Sequence, residues 1–145
     1  EEEVNKIKKK TDLNVDILDV KFNALGNMMS VNNKGGIVSP SFPKESIQKI
    51  EDVLDIEVSQ KKIAGFHQVG AVMATSQSGC VVHPETDEED IKNISNILGV
   101  NVEQATINGG IPFLSSGILV NSKSMVVGTL TNGPEIMMLT RAFTN

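Results

Sequence analysis

Aromatic residues are nearly missing from this sequence: it has no Trp, no Tyr and only five Phe in 145 residues. Its core must therefore be built from Ile, Val, Leu and Met. A single cysteine, Cys80, excludes an internal disulfide. No apolar run approaches the roughly 20 residues that a membrane-crossing helix needs, and no stretch has the pattern of a secretory signal. Neither a Gly-x-Gly-x-x-Gly nor a Gly-Lys-Ser/Thr phosphate loop occurs. His67, Cys80 and His83, at spacings of 13 and 3, fit no zinc pattern. The expectation is an intracellular protein with no metal, no cofactor and no membrane or small-molecule partner. The first residue is Glu rather than Met, which suggests a chain that begins inside a longer one.

Cations are also few. The net charge is −5, and only one of the 13 basic residues is Arg. A nucleic-acid binder usually carries a basic patch that releases counterions from phosphates. Here Lys8, Lys9 and Lys10 stand beside Glu1, Glu2 and Glu3 and read as a solvated helix face. An acidic chain of this kind suits contact with basic proteins better than contact with bare phosphate. With 39% apolar and 21% charged residues, it reads as soluble and globular.

What is present is periodicity. Ile47, Ile50 and Leu54 form one helix face. Shifted by 44 residues the face recurs as Ile91, Ile94 and Leu98, and by 45 more as Ile136, Leu139 and Phe143. Val4 and Ile7 make a fainter first copy. Between these stripes lie paired β-prone runs around polar turns, of which Asn33-Lys34-Gly35 is the clearest. Pro40 and Pro84 stop the second strand of their hairpins. Pro43 and Pro134 suit a first helical turn, Thr86 with Glu89 has capping-box spacing, and Gly99 suits a helix stop. Extended segments are expected at 15–20, 57–63 and 100–107. The reading is α/β (α+β), with repeats at about 1–43, 44–86 and 87–131 and a closing helix at 132–145. One such unit cannot bury its own stripe, so copies must stack, and a ring removes the exposed ends.

The residues then resemble a family. Ala24-Leu25-Gly26-Asn27, Val31-Asn32-Asn33-Lys34-Gly35, Cys80-Val81-Val82-His83-Pro84, Thr106-Ile107-Asn108-Gly109-Gly110, Val120-Asn121-Ser122-Lys123 and Thr131-Asn132-Gly133-Pro134-Glu135 are similar to translation initiation factor six, in the family's order along the whole chain. Archaeal members look closer than eukaryotic ones. The resemblance implies a pentein-like propeller: five αββ units about a pseudo-fivefold axis, of which this single, incomplete domain would hold three plus the closing helix. It further implies binding to the large ribosomal subunit, on ribosomal protein uL14 with eL24 and the sarcin-ricin loop nearby, and steric exclusion of the small subunit in the cytoplasm. Carried over by position, Gly26 and Asn27 are the first candidates for ribosome contact. Asn32, Asn33, Asn121, Ser122 and Lys123 follow. From spacing alone Gly26 equally suits a bulge, Asn27 a water-facing site, and the others ordinary hairpin turns. Ser115 and Ser124 depart from the family by standing where it tends to have Gly.

Pentein folds also host guanidino-modifying enzymes with a Cys nucleophile, and Cys80, His83 and His67 are the residues that could form such a set. Cys80 and His83, three apart in an extended run, point to opposite faces, while His67 could approach from another strand. The expectation is a non-enzyme with Cys80 as a small buried hydrophobe. A toroidal scaffold for another protein partner is the third reading.

Overall fold

A computed structural model describes residues 1–144. Three small sheets alternate with helices. Helix α1 (Glu2–Lys8) buries none of its residues. A single helical turn, α2 (Leu25–Met28), leads into the hairpin β1 (Met29–Val31) and β2 (Gly35–Val38). Helix α3 (Lys44–Leu54) and strand β3 (Glu57–Gln60) follow. The next stretch holds β4 (Met73–Thr75), β5 (Cys80–Val82), α4 (Glu88–Leu98) and β6 (Val102–Gln104). A 3₁₀ turn (Leu114–Ser116), β7 (Ile118–Val120), β8 (Met125–Val127) and α5 (Gly133–Phe143) complete the described chain. Asn145, the last residue of the expected closing helix, lies outside the described residues.

In the first sheet β1 and β2 run antiparallel, and β3 adds parallel to β2. The second sheet has the same order and directions in β4, β5 and β6. A tight turn allows the antiparallel pair; a crossover through a helix returns the third strand in the parallel sense. The third sheet is the hairpin β7–β8. Its register matches the others: Met29 faces Val38, Met73 faces Val82, and Ile118 faces Val127.

Alternation along the second hairpin strand distributes the core. Val38 packs with Ile50 of α3, whereas Ile37 lies in a cluster with Ile94 and Leu98 of α4. In the second sheet Val82 joins that same cluster, while Val81 packs with Leu139 and Ala142 of α5. Each of these strands is thus covered on both faces, which is why it reads as an unbroken apolar run. Ile50, Ile94 and Leu139, one stripe position from each helix, are all buried.

Several local expectations are corrected. Residues 15–20 form no strand; nothing described lies where β2 lies for β3, so their backbone has no ladder to join. Neither Val4 nor Ile7 is buried on α1: Val4 is half-buried and Ile7 exposed. Pro43 is the N-cap of α3 rather than part of its first turn. Thr86 caps nothing: Asp87 takes that place and accepts from Asp90 N at 2.7 Å. A capping box does occur at α5, between Asn132 and Glu135. Gly99 ends α4 in the left-handed conformation, as its position suggests (φ 60°).

Candidate functional site

Gly26 and Asn27 sit on α2, an exposed turn just before β1. Asn27 N–H closes the turn on Ala24 O at 3.0 Å. Two more turns have the same bond: Ala71 N–H to Gln68 O (3.0 Å) and Ser116 N–H to Phe113 O (3.1 Å). The three are linked in a row. Gly70 N–H donates to Asn27 O at 3.0 Å, and Ser115 N–H donates to Ala71 O at 3.3 Å. Residues 25–28, 68–72 and 113–117, which make up these turns, include no charged side chain. The Asn27 amide has no hydrogen bond within the described chain and faces solvent, so both its donor and its acceptor are available.

The remaining candidates lie at the opposite end of the hairpins, beyond the far ends of β1 and β7, so the structure does not gather all seven into one site. Asn32 is buried, 7% exposed, and its side chain is fully engaged. Its Oδ1 accepts from Lys34 N and Gly35 N, at 2.9 and 3.2 Å. Its Nδ2 donates to Leu98 O at 2.9 Å and Ser76 O at 3.3 Å. Lys34 Nζ reaches Gly99 O at 2.9 Å beside it, placing a cation at the negative end of α4. Asn33 is exposed, and its N–H donates to Gln77 Oε1 at 3.3 Å. Asn32 and Lys34 therefore clasp the carbonyl end of the neighbouring helix.

Asn121 forms the same turn, its Oδ1 accepting from Lys123 N at 2.8 Å and Ser124 N at 3.0 Å. Asn121, Ser122 and Lys123 are exposed and share a cavity with Phe143 and Thr144 at the end of α5, but among the described residues none of their side chains bonds a helix carbonyl. The flanking strand faces differ to match: Ile37 and Val81 are fully buried, whereas Val126, at the same register position, is 68% exposed.

No reaction centre is assembled from the cysteine and histidines. Cys80 is fully buried, with its thiol directed to Val81 O. Burial pushes that thiol up to about 12 against the weaker downward pull of a hydrogen bond with Thr75, the reverse of what a nucleophile needs. His67 Nδ1 bonds Ser41 Oγ at 2.8 Å. His83 Nδ1 accepts from Glu85 N at 3.1 Å, and its ring rests on Phe66. None of the three bonds another. Among the described residues no group of three or more His, Cys, Asp or Glu is placed to hold a metal, and no helix is long and apolar enough to cross a membrane.

Reasoning from sequence missed one elaborate polar cluster. Glu135, 5% exposed, accepts from Thr106 Oγ1 (2.7 Å), Gly110 N (2.8 Å), Asn132 N (2.9 Å) and Gly109 N (3.0 Å). Asn108, Gly109 and Gly110 all have positive φ, which turns successive N–H groups inward around the carboxylate. Burial pushes the Glu135 carboxyl up, but these four bonds outweigh it and hold the group down at about 2. The Thr106-Ile107-Asn108-Gly109-Gly110 and Thr131-Asn132-Gly133-Pro134-Glu135 runs marked both halves of the cluster, and nothing tied one to the other.

These features define a stacked sheet-and-helix domain, joined by hydrogen bonds at both ends of its hairpins. The chain belongs to the eIF-6 family, whose family model matches residues 1–142. It is 71% identical over 136 residues to translation initiation factor 6 of Cenarchaeum symbiosum (strain A), covering 94% of this chain and 62% of the relative. Over 139 residues it is 66% identical to translation initiation factor 6 of Nitrosopumilus maritimus (strain SCM1), with 96% and 63% covered. The protein of the same name from Pyrococcus furiosus is 51% identical over 131 residues, covering 90% of this chain and 58% of the relative. The chain thus spans about three fifths of the length of these relatives. These relatives are all named as translation initiation factors.

Proposed function

We propose that this chain is the greater part of a ribosome anti-association factor. The α2 turn docks on the large ribosomal subunit, and the bulk of the protein then keeps the small subunit off that surface. Family membership supports the ribosome as the target. The row of uncharged turns, in which Gly26, Asn27, Gln68, Ser115 and Ser116 are exposed, is the observation that carries the choice of surface. Lacking cations, it suits a protein partner better than a phosphate backbone, because phosphate contacts need positive charge. Ribosomal protein uL14 is the proposed main contact, with eL24 and the sarcin-ricin loop alongside, in the cytoplasm. The mechanism is steric and requires no chemistry.

Within this reading Gly26 and Asn27 make contact. Asn32, already saturated inside the chain, positions its neighbours instead. Asn33 stays a peripheral contact. Asn121, Ser122 and Lys123 repeat the clasp that Asn32 and Lys34 close on α4, so a neighbouring unit is their more natural partner. The complete protein would be the five-unit ring, with the chain divided as 1–43, 44–86, 87–131 and a closing helix. Exposed Leu119, Val126 and Leu54 supply the apolar faces such closure would cover.

Sedimentation of the full chain with isolated large subunits at moderate salt tests the proposal. Co-pelleting is expected, with Asn27→Arg weakening it about tenfold or more by desolvating a charge at the contact. Failure of the unaltered protein to pellet would overturn ribosome binding. Unchanged pelleting by Asn27→Arg would overturn the assignment of the turn.

A further inference from the structure

We propose that Gly70 is the positioning residue of the docking turn, fixing the height at which Gly26 and Asn27 are presented; this rests on the reading of that turn as the contact surface. Gly70 belongs to the next turn in the row. Its N–H donates to Asn27 O at 3.0 Å, so it satisfies one of the carbonyls that a single helical turn leaves unpaired. Its Cα also faces that turn at very short range. A Cβ at position 70 would lie 2.0 Å from Gly26 O and 2.4 Å from Met29 O. Both are backbone atoms and cannot swing aside as the end of a long side chain can.

The reason for glycine here is not backbone conformation. The glycines with positive φ are Gly65, Gly99, Gly109 and Gly110, and Gly70 is not among them. Its φ lies outside the left-handed region that favours glycine. What the position requires is the missing side chain.

The neighbouring joint provides an internal comparison. There Ser115 takes the place of Gly70 and Ala71 that of Asn27. The corresponding bond is longer, 3.3 Å, and the Ser115 hydroxyl shares the same acceptor. A side chain at this position is thus compatible with a looser joint, and the tight joint is the one beneath Asn27. No side-chain hydrogen bond tethers Asn27, so its placement follows its backbone directly. Relieving a 2.0 Å contact to an ordinary separation requires a shift of roughly 1 Å, enough to take a hydrogen-bonding amide out of register.

The test uses the full chain and isolated large ribosomal subunits. Gly70→Ala is compared with Gly79→Ala, whose added Cβ would lie 1.9 Å from Ala142 O, a similar clash at a joint away from the docking turn. Both variants should lose thermal stability. At a temperature where circular dichroism shows both folded, Gly70→Ala should bind about tenfold or more weakly, with Gly79→Ala within about twofold of the unaltered protein. Equal losses in the two, or normal binding by Gly70→Ala, would overturn the inference. Asn27→Arg separates the two ideas. If it binds normally, the docking turn is misassigned; if it fails while Gly70→Ala binds normally, only the positioning role is lost. Hydrogen exchange on the unaltered protein does not depend on a variant folding. A protected Gly70 amide is expected, and exchange at the rate of a free amide would refute the joint.

Discussion

Replacing Glu135 by Gln should remove a large, pH-dependent share of this protein's stability. The carboxylate oxygens each accept two hydrogen bonds, three of the four from backbone N–H groups. Gln keeps the shape but puts an NH₂ where one oxygen stood. Two donors then face a donor, and leaving them unpaired costs more than the bonds themselves contributed. The charge matters as well. The ordinary glutamate value of 4.5 falls to about 2 here because the four donors overcome the effect of burial. A depression of that size corresponds to roughly 3 kcal/mol. Gly109 and Gly110 are exposed, so solvent just beyond the cradle screens it, and roughly 2 kcal/mol is the working figure.

The sign follows from the direction of the shift. A carboxyl held below its unfolded value stabilises the fold fully above the unfolded range. That stabilisation is lost as pH falls from about 4.5 toward about 2. Urea unfolding of the unaltered protein and Glu135→Gln should differ by roughly 2 kcal/mol at pH 7. Near pH 2 the gap should shrink below about 0.5 kcal/mol, since the carboxyl is then about half protonated in the folded protein and almost wholly protonated in the unfolded one. Using the difference cancels the other carboxylates, which titrate in both proteins. A gap that is negligible at pH 7, or that persists unchanged at pH 2, would refute the account of the cradle.

Ala64→Asn should stabilise the protein by about 1 kcal/mol, read as a rise in melting temperature. Ala64 sits at φ 48°, where Asn is tolerated better than Ala, and the buried Thr86 hydroxyl lacks the partner that Asn108 gives Thr131 at the next joint. Cys80 should react with iodoacetamide at pH 8 at least about 10³-fold more slowly in the folded protein than in urea, because burial pushes its thiol up to about 12. Rapid labelling of the folded protein would show the thiol to be exposed.

The helices were legible in the sequence because their signal is local and repeated. The spacing of Ile91, Ile94 and Leu98 alone picks out the face of α4, and Ile94 and Leu98 are fully buried. The hairpin turns were legible for the same reason, since Asn32 and Asn121 each fold their own next residues. What could not be read was the use of those turns. Asn32 and Asn121 look alike in sequence, yet one is buried against Leu98 O, 66 residues away, and the other is exposed. The capping of α4 failed for a related reason. Thr86 and Asp87 are both good caps by type, and burial of Thr86 left the role to Asp87. Gly70 was invisible as a joint because no rule of spacing ties a glycine to a carbonyl 43 positions earlier.

The two kinds of joint divide the work between the ends of the hairpins. At one end Asn32 and Lys34 reach into the next helix through side chains, and the contact is buried or charge-assisted. At the other end Gly70 meets Asn27 through backbone alone, leaving the Asn27 side chain unused. A surface that must hold the fold together cannot also keep its polar groups free for a partner. The hairpin tips spend theirs on the neighbouring unit, whereas the α2 end is held by main-chain bonds and retains its side chains. That asymmetry places the docking proposal at Gly26 and Asn27 rather than at the chemically similar asparagines of the tips. It also accounts for the sensitivity expected there, because a contact positioned only by backbone moves whenever the backbone beneath it does.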